Sequence, residues 1–139
     1  MSDVHSRETR SYNMSRIKGK DTKPEVIVRK FLFSRGLRFR KNDKRYPGHP
    51  DIVLPKYSTI IFVHGCFWHL HENCRYAVMP SSNTDYWKNK LIGNRNRDKH
   101  NEELLISMGW KVIVVWECEL KKDKREQTLY NLYDQIVSP

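Results

Sequence analysis

The sequence has no apolar run long enough to cross a bilayer. Its longest, Ile60-Ile61-Phe62-Val63 and residues 112–116, fall far short of the roughly 20 residues a membrane helix needs. It does not open on an apolar segment either: Met1-Ser2-Asp3-Val4-His5 lacks the hydrophobic stretch of a secretory signal, so secretion is not expected. Cysteine is scarce. Three cysteines leave one unpaired in any intramolecular disulfide scheme, which points to a reducing, cytoplasmic setting and to metal ligation as their use. Negative charge is short as well, with 16 Asp and Glu against 26 Lys and Arg and a net charge of +10. In so small a chain that excess makes a positive field attractive to polyanions. Nucleic acid is the first partner this suggests, and the missing apolar runs count against a membrane. Repeats, low-complexity tracts and long linkers are absent too, so residues 1–139 are expected to form one domain. Hydrophobic residues at 38% and aromatics at 12% place it among folded proteins with one modest core.

Residues 1–20 are polar and basic, carrying Arg7, Arg10, Arg16, Lys18 and Lys20, and have little to bury. Thr22-Lys23-Pro24-Glu25 reads as a helix start, with Thr22 as cap, Pro24 in the first turn and Glu25 completing a capping box. Val26, Ile27, Phe31 and Leu32 supply an apolar stripe before Gly36 stops the helix. Residues 37–41 alternate apolar and basic, as an edge strand does. Residues 51–54 and 59–63 read as two strands joined by Pro55-Lys56-Tyr57-Ser58. Antiparallel pairing places the start of the first opposite the end of the second, so Asp51 is expected near residue 63. A polar helix follows over about 85–108, stopped by Gly109, then a buried strand over 111–116. Leu129, Leu132, Tyr133 and Ile136 mark a closing helix. This order predicts an α/β fold, a central mixed sheet flanked by helices.

Cys66, Cys74 and Cys118, with His71 or its neighbour His69, offer the four soft ligands of a tetrahedral structural zinc. Spacing alone does not choose between the two imidazoles. Asp51 opens an apolar strand beside a Pro-shaped loop, where a hard oxygen ligand suits Mg2+. His64 and His69 close by could serve a phosphodiester hydrolysis that needs a base for water and an acid for the leaving oxygen. Phe67-Trp68 and Tyr86-Trp87 lie in polar surroundings where aromatics can wedge between base pairs, although core packing is their commoner fate. The basic run Lys88, Lys90, Arg95, Arg97 and Lys99 favours phosphate contacts.

The run His64-Gly65-Cys66-Phe67-Trp68-His69 resembles the signature of the very-short-patch mismatch repair (Vsr) endonucleases. Arg10-Ser11 with Asn13-Met14, Asp21-Thr22 with Glu25, Pro47-Gly48 with Pro50-Asp51, and Gly109-Trp110 before Val115-Trp116-Glu117-Cys118 follow in the family order. The resemblance covers about residues 3 to 120. It implies a fold like that of type II restriction endonucleases and a Mg2+ ion held by Asp51 and the backbone carbonyl of Val63. His64 and His69 would take the acid-base duties with Glu25 as helper. Zinc would sit on Cys66, His71, Cys74 and Cys118, and Phe67, Trp68 and Trp87 would intercalate at the mismatch. The implied substrate is double-stranded DNA with a T:G mismatch, nicked 5′ to the mispaired T, with residues 1–20 as a DNA-contacting arm. A monomer is expected, acting on the bacterial nucleoid in the cytoplasm, with a mismatch-repair coupling protein as a candidate partner. Two rivals remain: a zinc-stabilised DNA-binding protein without catalysis, and a nicking or restriction-type nuclease acting on matched duplex.

Overall fold

A computed structural model describes residues 21–139; the basic arm expected over residues 1–20 lies outside them. Helix α1 (Lys23–Ser34) is followed by three strands, β1 (Arg40–Lys41), β2 (Ile52–Leu54) and β3 (Thr59–His64). Then come α2 (Thr84–Ser107), β4 (Lys111–Trp116) and α3 (Arg125–Val137). The sheet runs in the order β1-β2-β3-β4, with antiparallel pairs β1/β2 and β2/β3 and a parallel pair β3/β4. A parallel pair cannot close by a hairpin, so α2 is the crossover between β3 and β4. The expected mixed sheet between helices is therefore present. No helix among the described residues is long and apolar enough to cross a membrane.

Side-chain alternation decides what each face of the sheet meets. Ile52, Leu54, Ile61, Val63, Ile113 and Val115 pack with Val28 and Leu32 of α1 and Leu129, Leu132 and Ile136 of α3. The opposite set, Val53, Ile60 and Phe62, packs with Leu105 of α2. All six residues of β3 are buried, which is why residues 60–63 read as an unbroken apolar run rather than an alternation. The first face holds most of the core. Along its 24 residues, α2 buries only Leu91 and Leu105, which stand about 21 Å apart at 1.5 Å per residue. The span between these two anchors is left to present polar groups.

Three expectations need adjusting. The inward stripe of α1 is Glu25, Val28 and Leu32, spaced i, i+3, i+7. Of the expected stripe Leu32 is buried and Ile27 and Phe31 pack partly buried beside it; apolar periodicity did not mark Glu25, which is acidic, or Val28. Of residues 37–41 only Arg40–Lys41 pair as an edge strand, because Leu37 turns into the core instead. Finally, β3 ends at His64, one residue later than the apolar run suggests.

Candidate active site and metal cluster

The β2/β3 register pairs Ile52 with Ile61, which carries Asp51 to the end of β3 as the hairpin argument requires. Its carbonyl accepts from Asn42 N–H at 3.0 Å, and its carboxylate Oδ2 accepts from Val63 N–H at 2.6 Å. Asn42, just past β1, and Val63 of β3 thus fix this residue from both sides. The preceding loop comes close enough because Gly48, at φ +79°, has no side chain. A Cβ there would stand 3.1 Å from Phe62 Cε1 and 3.2 Å from Asn101 Cβ.

Glu25 faces Asp51 from the first turn of α1. It is 2% exposed. Thr22 Oγ1 caps the helix by accepting from Glu25 N–H at 3.4 Å, while Glu25 Oε2 accepts from Asp21 N–H at 2.8 Å and from Arg29 Nη1 at 3.3 Å. The capping arrangement therefore reaches back to Asp21 rather than to Thr22, and the same carboxylate is delivered to the cleft. Burial pushes the Asp51 carboxyl up to about 7 against the Val63 hydrogen bond, and the nearby negative charge of Glu25 adds to the rise. The buried Glu25 and half-buried Asp51 carboxylates, like charges side by side, are a donor set that a hard dication relieves.

His64 and His69 stack face to face, with ring centroids 3.8 Å apart and planes at 4°. His69 Nδ1 lies 2.6 Å from Asp98 Oδ2. A carboxylate on one ring nitrogen fixes the tautomer and aims the other nitrogen, the arrangement of an oriented acid-base histidine. Burial and the adjacent His69 lower His64 to about 4, against the pull of Asp98, so its ring is neutral at pH 7. Among the described residues its buried Nδ1 has no hydrogen-bond partner.

Sequence reasoning missed Asp98. It lies on α2 with Lys90 and Asn94 at four-residue spacing, one helix face, and all three line the same cleft as Asp51 and His69. Asn94 Nδ2 donates to the Trp68 carbonyl at 3.0 Å, tying that face to the His-rich loop. Glu117, just past β4, is a further cleft residue that was not anticipated. The cleft has a volume of about 730 Å3. At its rim Phe67 packs edge-on against Trp68 at 5.1 Å and near Trp87 at 5.5 Å, with Trp68 and Trp87 at 5.9 Å. The three expected wedge residues are thus one half-buried cluster, and Tyr86 beside them is exposed.

The structure divides the two imidazoles. His69 joins His64 and Asp98, whereas His71 joins Cys66, Cys74 and Cys118, whose ligand atoms all lie within 4.8 Å of one another. Leu70 between them adopts a left-handed φ of 51°, and His71 N–H donates back to the Cys66 carbonyl at 3.0 Å. The loop reverses there, so His69 and His71 serve different clusters. His71 Nδ1 is 3.5 Å from Cys118 Sγ. A tetrahedral zinc, with Zn–S of about 2.3 Å and Zn–N of about 2.0–2.1 Å, gives S···N edges of about 3.5 Å. Burial pushes the Cys66 thiol up to about 12; a bound dication reverses that preference, since coordination strips the thiol proton. Cluster and donor set fit zinc. Cys66 and Cys118 lie two residues beyond the paired His64 and Trp116, so such a site staples the exits of β3 and β4.

Comparison with known proteins identifies the family. The family model described as DNA mismatch endonuclease Vsr matches residues 2–75. A type II nicking enzyme of Neisseria meningitidis is 57% identical over 121 residues, covering 87% of this chain and 86% of the relative. Another from Xanthomonas oryzae is 47% identical over 135 residues, covering 96% and 98%. The DNA mismatch endonuclease Vsr of Escherichia coli is 42% identical over 121 residues, covering 87% and 77%. The chain belongs to the Vsr family of DNA mismatch endonucleases.

Proposed function

We propose that this endonuclease recognises T:G mismatches in duplex DNA and nicks 5′ to the mispaired T in a Mg2+-dependent reaction that opens very-short-patch repair. The observation that carries this reading is one cleft holding the Asp51–Glu25 carboxylates and the His64/His69/Asp98 cluster beneath a three-ring aromatic rim. Asp51 and the Val63 backbone carbonyl would hold Mg2+, with Glu25 as helper, and the ion supplies charge stabilisation at the phosphate. Asp98 holds His69 in one tautomer so that it can move a proton at the attacking water or the leaving 3′-oxygen. His64, neutral and stacked on it, provides the second imidazole. The product is a nick carrying a 5′-phosphate.

A wobble pair is already weakened, so opening it costs less than opening a matched pair. Phe67, Trp68 and Trp87 are the side chains that exploit the difference, while Lys90 and the basic surface hold phosphates. Substituting Phe67 or Trp68 by Ala is expected to lower discrimination between T:G and matched duplex more than overall affinity, read by gel shift on both. Equal losses on the two duplexes would count against wedging. The Asp98-oriented His69 favours an enzyme over a binding module, which has no use for it.

Zinc on Cys66, His71, Cys74 and Cys118 contributes to folding directly, because it clamps segments that are distant in sequence. Elemental analysis is expected to find one zinc per chain, and Cys118→Ser to lose metal and thermal stability together. Folded, active protein without zinc would reject the assignment.

A further inference from the structure

No hydrogen bond among the described residues reaches the His64 ring, whose Nδ1 is buried and unpartnered. Ring contacts locate it instead: Phe62 at 5.7 Å, His69 at 3.8 Å and Trp116 at 5.2 Å. Phe62 belongs to the same strand and His69 to the same cluster. Only Trp116 leads elsewhere. Its indole stacks on His71 with centroids 4.0 Å apart and planes at 7°, while meeting His64 at 72°. His71 is in turn held in the Cys66/Cys74/Cys118 cluster. The backbone of Trp116 is also fixed, paired with His64 in the parallel ladder and donating to Glu119 Oε1 at 2.8 Å. A continuous column thus runs from the metal cluster through His71, Trp116, His64 and His69 to Asp98.

We propose that Trp116 is a positioning residue that transmits the geometry of the zinc cluster to the His64/His69 pair. The proposal rests on the reading of His64 and His69 as the acid-base groups. Aromatic pairs are directional, so an indole stacked on one side against an imidazole that zinc would hold in place offers His64 a fixed wall where no hydrogen bond does so. Removing the ring leaves His64 free to tilt and carry its stacked partner, and misplacement of about 1 Å can cost about a hundredfold in rate.

The test compares Trp116→Met, which keeps apolar volume without a ring, with Trp116→Phe, which keeps a smaller ring. The Met variant is expected to retain one zinc, bind T:G duplex with nearly unchanged KM, and lose about ten- to a hundredfold in kcat; Phe should restore most of the rate. Ring resonances of His64 and His69 in 15N-histidine-labelled protein should broaden in the Met variant while those of His71 persist. A zinc-loaded Met variant with wild-type kcat and unchanged His64 and His69 resonances overturns the proposal. If that variant does not fold, wild-type protein carrying cadmium in place of zinc decides. Movement of His71 around the larger ion should shift the resonances of Trp116 and His64 together, and stationary His64 resonances overturn the proposal. Should wild-type protein fail to nick T:G duplex at all, the functional reading falls, while the resonances still judge the column.

Discussion

Asp51→Ala is expected to abolish nicking while leaving binding to T:G duplex nearly intact. Asp51 is locked by its carbonyl to Asn42 and by its carboxylate to Val63, and stands beside Glu25 in the cleft. In the proposed role as principal ligand of a catalytic cation it would act where charge develops on the phosphate, so its loss should cost a thousandfold or more, on the order of several kcal/mol of transition-state stabilisation. Affinity is expected to come from other groups, the basic surface and the aromatic rim. Single-turnover nicking with Mg2+, with EDTA as control, and gel shifts without Mg2+ separate the two effects. Wild-type nicking by the purified variant would remove Asp51 from the chemistry. Loss of binding in step with nicking would make it a folding residue.

His69→Ala is expected to lower the nicking rate by about a hundred- to ten-thousandfold, the usual range for general acid-base loss, with little change in binding. The 2.6 Å contact to Asp98 extends the prediction. Asp98→Asn keeps the shape of the side chain but removes the charge that favours an imidazolium and permits the wrong tautomer, so it should fall in the same direction. Both variants should bind T:G duplex like wild type. A His69→Ala rate within a few-fold of wild type would leave the stacked pair without a catalytic part, and an Asp98→Asn rate equal to wild type would reduce that contact to packing.

Much of this site is legible in the sequence because it rests on short-range rules. Antiparallel pairing of two apolar runs across a four-residue turn is sufficient to place Asp51 against Val63. The Thr22/Glu25 spacing locates the start of α1, although the acidic member of its buried stripe disguises the face it turns inward. The choice between His69 and His71 is not legible, because it hangs on the left-handed Leu70 and the backbone bond from His71 to Cys66, neither of which leaves a mark in composition. Asp98 is hidden for a different reason. On a long polar helix with Leu91 and Leu105 as its only buried residues, nothing distinguishes Lys90, Asn94 and Asp98 from a solvated face until the crossover between β3 and β4 lays that face over the cleft. The meeting of Cys118 with the 66–74 loop follows from the parallel register of His64 with Trp116, a long-range pairing that local pattern does not specify.

The most direct measurement uses wild-type protein and two end-labelled duplexes that differ only in one pair, T:G or T:A, incubated with Mg2+ and resolved on a sequencing gel. A single nick is expected immediately 5′ to the mispaired T, in the T strand alone, with the T:A duplex left intact. Equal cleavage of both duplexes would contradict mismatch recognition and favour a nuclease acting on matched DNA. Specific binding without any Mg2+-dependent nick would contradict the catalytic reading of Asp51, His64 and His69.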